Sequence, residues 1–196
     1  MFLIILYGCG SQKVITTKYY VIEIDQDRIS SVVNAVVSTI DKPCEIEDVE
    51  INPAYASTQI ANRSGEKELT YYAYHQWAIR PAESFTRIML DYFIHVPVFS
   101  NASPRFWKVD PVYRIETRIY HLEVIQKDNN FIAHLELEFA LRETANNRIV
   151  VRHHADELKM LEQKDINLLA TSFGNIFFSE LNRFSGKIIR EIGNVQ

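Results

Sequence analysis

The chain has two cysteines in 196 residues, Cys9 and Cys44, and two thiols cannot build the disulfide framework on which small secreted domains depend. It has no apolar stretch approaching the roughly 18–20 residues that a membrane-spanning helix needs. It has no excess of positive charge: 21 Lys and Arg are scattered among 25 Asp and Glu, for a net charge of −4. That balance leaves no basic field to hold phosphates, so nucleic acid is not an expected partner. Catalytic signatures are missing as well. The sequence contains no nucleophile elbow, no Walker loop, no dinucleotide glycine fingerprint, no Cys-x-x-Cys pair and no zincin helix, each of which carries its chemistry through a fixed spacing. No enzyme activity and no cofactor are expected.

What is present is the material for a folded domain. Hydrophobic residues make up 47% of the chain and charged residues 23%, which sets it apart from disordered and collagenous sequences and, at this length, favours one core. The residues before that core have a different character. Phe2-Leu3-Ile4-Ile5-Leu6-Tyr7 runs unbroken to Gly8-Cys9 and gives way at once to Gly10-Ser11-Gln12-Lys13. A branched apolar residue three places before a cysteine, with a small residue just before it, is the pattern cut by lipoprotein peptidases ahead of an acylated thiol. The expectation is a remnant signal over 1–8, a lipidated Cys9 with a tether over 9–18, and one periplasmic domain over 19–196. Eight uncharged residues are fewer than the usual 15–30 of an export signal with its basic n-region, so a short buried strand is the competing reading. With Cys9 acylated, Cys44 is expected to be a small buried apolar residue; a Cys9–Cys44 bridge is the alternative.

Along the domain, Tyr19–Ile24 reads as a first strand. Ile29, Val32, Val33, Val36, Val37 and Ile40 fall on one helical face, which predicts a helix over 29–40, with a strand as the alternative because valines stiffen a helix. Ile46, Val49 and Ile51 then alternate, Thr58–Arg63 and Lys67–Tyr74 read as strands around the Ser64-Gly65 turn, and Pro81 opens a helix to about residue 95 with Phe85, Ile88, Met89 and Tyr92 on one face. Tyr113–Gln126, Phe131–Arg142 and Arg148–Leu158 form an antiparallel meander. In the first of these, Ile115, Thr117, Ile119, His121 and Glu123 share one face. Asp165 caps a closing helix to about Ile192. The fold class is α+β: a single domain with a mixed, mostly antiparallel sheet covered by helices over 81–95 and 165–192, and a third over 29–40 if that segment is helical.

Two side-chain groups could carry chemistry. His153, His154 and Glu157 lie on the third meander strand, but His153 and Glu157 are four residues apart, roughly 13 Å by strand rise, too far to share an ion; a solvated strand face is the simpler reading. Glu123, Glu136 and Glu138 could form an acid–base pair, yet alternating acids usually mark a sheet's wet side.

Several segments in order resemble a known family. They are Tyr19-Tyr20-Val21-Ile22 soon after the Leu-x-Gly-Cys pattern, Val49-Glu50-Ile51-Asn52-Pro53-Ala54-Tyr55 running through Gln59-Ile60 to Arg63, Tyr74-His75-Gln76-Trp77-Ala78-Ile79-Arg80-Pro81 opening a helix, Asp110–Ile115 leading into a strand, and the closing amphipathic helix. Together they resemble the ABC-type transport auxiliary lipoproteins, over nearly the whole chain after Cys9. The resemblance implies a non-enzymatic periplasmic lipoprotein, held by acylated Cys9 to the inner face of the outer membrane. Its implied partners are an ABC transporter permease and ATPase and a mammalian-cell-entry domain protein that move lipid between the two membranes of a Gram-negative bacterium, and some relatives assemble as homo-oligomeric rings. It marks Pro53, Tyr55, Gln59, Tyr74, Trp77 and Arg80 as structural or interface residues. The alternative function is a periplasmic carrier of lipid or another apolar ligand, acting alone. An exposed edge along Tyr71–Tyr74 would suit strand addition by a neighbour.

Overall fold

A computed structural model describes residues 15–24, 28, 39–127 and 130–193. Cys9 and residues 29–38 of the expected third helix lie outside them; Ile40, the last residue of that span, begins a strand. The elements are β1 (Lys18–Tyr20), β2 (Ile40–Ile46), β3 (Glu50–Ile51), a 3-10 turn at Pro53–Tyr55, β4 (Gln59–Arg63), β5 (Leu69–Trp77), α1 (Pro81–His95), β6 (Phe99–Ser103), β7 (Tyr113–Lys127), β8 (Asn130–Glu143), β9 (Arg148–Met160) and α2 (Ile166–Ile192). Strands and helices thus form one α+β unit, as the patterning predicts.

β7 organises the sheet. Along one edge it pairs antiparallel with β8 over its whole length, and β9 continues the meander. Along the other edge three short strands dock end to end, all parallel to it: β2 at Tyr113–Ile115, β3 at Arg118–Ile119 and β4 at Val124–Ile125. β6 extends the sheet beyond β2, and β5 followed by β1 extends it beyond β4. The sequence reading takes Phe99–Ser103 for loop because Phe-Ser-Asn-Ala-Ser lacks β-branched residues; pairing with β2, not propensity, makes it a strand.

Both helices cover one face. Pro81 fits the first turn of α1, where a missing N–H costs nothing, and Pro97 stands just past its end. Asp165 caps α2 by accepting from the backbone N–H of Asn167 at 2.8 Å. Beneath them the core is a run of rings: Phe85 lies 4.6 Å from Phe177, and Phe139 lies 5.4 Å from Phe177 and 5.3 Å from Phe184. Each such buried side chain contributes about 1.5–3 kcal/mol. Cys44 is fully buried, with burial raising its thiol pKa, so it is an inert core residue.

β1 is shorter than the Tyr19–Ile24 pattern suggests. After Tyr20 the chain leaves the β5 edge and crosses α2, burying Ile22. The crossing is made at Gly174, where an added Cβ would sit 2.4 Å from the Glu23 carbonyl oxygen. The helix carries glycine there because the other backbone occupies the space.

Candidate functional site

The face of the sheet opposite the helices is laced with charge. Ion pairs join Glu47 to Arg114, Glu50 to Arg118, Glu116 to Arg142 and Glu138 to Arg152. Exposed pairs of this kind are worth about 0–1 kcal/mol each. A denser group lies at the far end of β7, and it exists because of a bulge. Ile119 pairs with Leu137 but His121 pairs with Glu136, so Tyr120 is an extra residue and every side chain after it changes face. Leu122 and Val124 take over the core positions from Thr117 and Ile119, while His121 and Glu123 turn to the open face. The expected shared face of Ile115, Thr117, Ile119, His121 and Glu123 is corrected accordingly. The signal was in the sequence: after Ile119 the apolar residues resume at Leu122, one position out of phase.

Glu123 is the hub, and its side chain is wholly shielded from solvent. Arg63 from β4 grips it bidentately, Nε to Oε1 at 2.6 Å and Nη2 to Oε2 at 2.8 Å. The Tyr55 hydroxyl donates to Oε2 at 2.6 Å, and His134 Nδ1 lies 3.0 Å from Oε1. His134 Nε2 meets Asp156 at 2.9 Å, so both ring nitrogens face carboxylates, which only the imidazolium satisfies with two donors. His121 stacks on His134 with centroids 5.0 Å apart and shares Glu136 with His154.

Burial pushes the Glu123 carboxyl up, but the hydrogen bonds from His134, Arg63 and Tyr55 and the Arg63 charge outweigh it, bringing its pKa to about 2. Burial pulls His134 down, and its hydrogen bonds to Glu123 and Asp156, with their charges, overcome this and raise it. Stability should follow pH accordingly. The depressed Glu123 contributes above its unfolded pKa of about 4.3 and loses that contribution as pH falls toward 2, whereas the raised His134 contributes fully below about 6.5 and loses it as pH rises through its folded value. Thermal unfolding should therefore show a melting-temperature maximum between about pH 4.5 and 6.5, with the neutral-side decline reduced in His134→Gln.

The network ties β4, the 3-10 turn, β7, β8 and β9 together; it offers no nucleophile beside a base. Among the described residues no group of His, Cys, Asp and Glu could hold a metal ion. The histidines singled out for metal are placed apart. His153 is buried under α2, with Nε2 2.8 Å from Glu180, and Glu157 faces Arg183, so both serve to fasten β9 to the helix. That corrects the solvated-face reading of His153, while His154 does lie on the open face.

The motif residues also separate. Pro53 and Tyr55 shape the turn, whose cap is the Asn52 side chain, and Tyr55 reaches Glu123. Gln59 is exposed at the start of β4, opposite Gln76. Trp77 is buried against Phe173 with ring centroids 6.1 Å apart, and its backbone N–H donates to the Thr58 carbonyl at 2.7 Å. Arg80 is exposed and its side chain makes no capping bond; its carbonyl accepts from Ser84. Tyr74 is exposed on β5. β1 pairs only with His75–Trp77, so among the described residues the outer edge of β5 before His75 has no strand beside it. Of the residues that hold the site together, the sequence marks Glu123 only as a member of a possible acid–base pair and Arg63 only as the end of a motif segment, and it does not mark His134.

A family model for the ABC-type transport auxiliary lipoprotein component matches residues 29–171. The chain belongs to that family. The match spans the turn, β4 and the meander, so the Glu123 network of this auxiliary lipoprotein lies within the family region. No curated protein matches the chain. Among solved structures it is similar to a Xanthomonas campestris protein at 13% identity, TM-score 0.70, covering 81% of this chain and 90% of that one. It is also similar to an uncharacterized protein at 10% identity and TM-score 0.61, covering 90% and 99%, and to a hypothetical protein of Chlamydia trachomatis at 10% and 0.51, covering 76% and 98%. At such identities the likeness shows the auxiliary lipoprotein's fold alone.

Proposed function

We propose that this auxiliary lipoprotein is a non-enzymatic, lipid-anchored periplasmic subunit of an ABC and mammalian-cell-entry type system that moves lipid between the inner and outer membranes, held by acylated Cys9 to the inner face of the outer membrane. The observation that carries the reading is the family match over 29–171, preceded by an apolar run ending at Gly8-Cys9. The described domain supports a role in contacts over one in chemistry. The Glu123 network and the ion pairs of the open face hold strands together, and the outer edge of β5, with no strand beside it among the described residues before His75, offers backbone groups to a neighbouring strand of a ring partner or of the mammalian-cell-entry protein. A carrier acting alone would need a cavity between α2 and the sheet, where Phe139, Phe177 and Phe184 instead fill the space.

The anchor is tested by the intact mass of the protein recovered from native membranes, beside Cys9→Ala. Acyl chains add about 0.8 kcal/mol of membrane affinity per buried methylene, so several hold a protein firmly. The expected mass begins at Cys9 plus acyl chains, and the variant is lost from the membrane fraction. An unmodified mass retaining Met1 would remove the anchor.

A further inference from the structure

The connection from β6 to β7 ends in an exposed aromatic and cationic tip. Trp107 is 84% exposed and Val109 61%, and Arg105 lies over the indole at 5.1 Å. Lys108 is exposed beside them and Phe106 is half-buried. In a chain of net charge −4, this tip carries two cations and one acid, Asp110. An indole this exposed costs free energy in water, and the Arg105 guanidinium over it leaves most of its surface bare. Trp is the residue enriched where a bilayer's headgroups meet its hydrocarbon, and Arg and Lys beside it find anionic lipid phosphates there.

We propose that Arg105–Val109 is a second membrane contact, seating Trp107 among anionic lipid headgroups. Its position gives that contact a purpose. Tyr19 pairs with Gln76, Gln76 with Gln59, and Asn62, three residues on, with Val124, which sets β1 level with about His121 on β7. β1 runs opposite to β7, so Lys18, where it begins, is its end farther from the tip, which joins β7 at Tyr113. Eight residues of strand rise separate the two levels by roughly 26 Å. A bilayer touched by both an N-terminal anchor and the tip therefore lies along the sheet's long direction, and the tip fixes how the domain lies on it. This orientation rests on the anchoring proposed above; the affinity of the tip for lipid does not.

The test uses the full chain with Cys9→Ser, so that no acyl chain contributes, and vesicles of phosphatidylcholine alone or with phosphatidylglycerol, brominated on their acyl chains. The protein has two tryptophans, and Trp77 is buried, so bromine in lipid reaches only Trp107. Any binding by the apolar N-terminal run does not quench it. The expected result is a shift of emission to shorter wavelength with loss of the Trp107 component on anionic vesicles, weaker on neutral ones, absent in Trp107→Ser and abolished in Arg105→Glu/Lys108→Glu. The unchanged Trp77 signal reports that each variant is folded. Emission that stays unshifted and unquenched on both vesicle types overturns the proposal, as does equal quenching on both. A Trp107 signal that ignores vesicles but shifts when a mammalian-cell-entry domain protein is added overturns it in favour of a protein contact.

Discussion

Replacing Glu123 by glutamine should lower the stability of the domain by about 3 kcal/mol, the lower end of the range for removing one partner of a buried ion pair, because Arg63 keeps 24% of its side-chain surface in water. The substitution conserves volume, so the loss isolates charge and hydrogen bonding. Glutamine presents one acceptor and one NH2 group to a site where Arg63, Tyr55 and His134 all donate, so at least one donor faces another. Melting temperature should fall by roughly 6–12 °C, at about 2–4 °C per kcal/mol for a domain of this size. Glu138→Gln is the control: its pair with Arg152 is at the surface, at 3.4 Å, and the expected change is within about 0.5 kcal/mol. If the two variants melt alike, Glu123 is not the hub that the geometry makes it.

Gly174→Val should be nearly as damaging, by about 2–4 kcal/mol, and for a different reason. A Cβ there meets the Glu23 carbonyl oxygen at 2.4 Å and its carbon at 3.2 Å, and neither backbone atom can swing aside. Residues 21–24 must lift from α2, exposing Ile22, whose burial is worth about 1.5–3 kcal/mol. Gly186 provides the contrast on the same helix. Its Cβ would meet only the end of the Arg190 side chain, at 3.6 Å, so Gly186→Ala should stabilise by about 0.5–1 kcal/mol through helix propensity alone. Urea unfolding measures both. Limited chymotrypsin digestion adds a local readout, since cleavage at Tyr20 should accelerate in Gly174→Val well before global unfolding. Equal urea midpoints for the two variants would show that the crossing bears no load. The crossing matters for function because β1 and residues 21–24 link any N-terminal anchor to the domain.

The parts of this fold legible in the sequence are those with a long, regular period. The ten-position apolar face from Ile166 to Ile192 and the alternation of Phe131 to Leu141 each recur often enough to specify helix and strand, and the structure has both. Shorter signals are overruled by tertiary pairing. Phe99–Ser103 is a strand because β2 lies beside it, and Val21–Ile24 is not one because the chain must cross α2 at Gly174. The candidate site was hidden by a single residue. With Tyr120 bulged, Glu123 moves from an apparent core face to the open face, where the turn at Pro53–Tyr55 and Arg63 close over it. A strict period of two cannot register such a slip; attention to Leu122 and Val124 can. The family motif runs from Tyr55 to Arg63 without joining them to Glu123 and His134, because Arg63, Glu123 and His134 come from three different strands and meet only in the folded sheet.

The central claim, that this chain is an accessory subunit of an ABC and mammalian-cell-entry lipid transporter, is tested most directly by cross-linking in intact cells with a photoreactive residue at Tyr74, on the open edge of β5, followed by identification of the trapped proteins. The expected result is a cross-link to a mammalian-cell-entry domain protein or to a second copy of this chain, with the transporter's permease and ATPase recovered in the same membrane complex. A complex containing neither an ABC transporter nor a mammalian-cell-entry protein, isolated with the anchored protein intact, would contradict it.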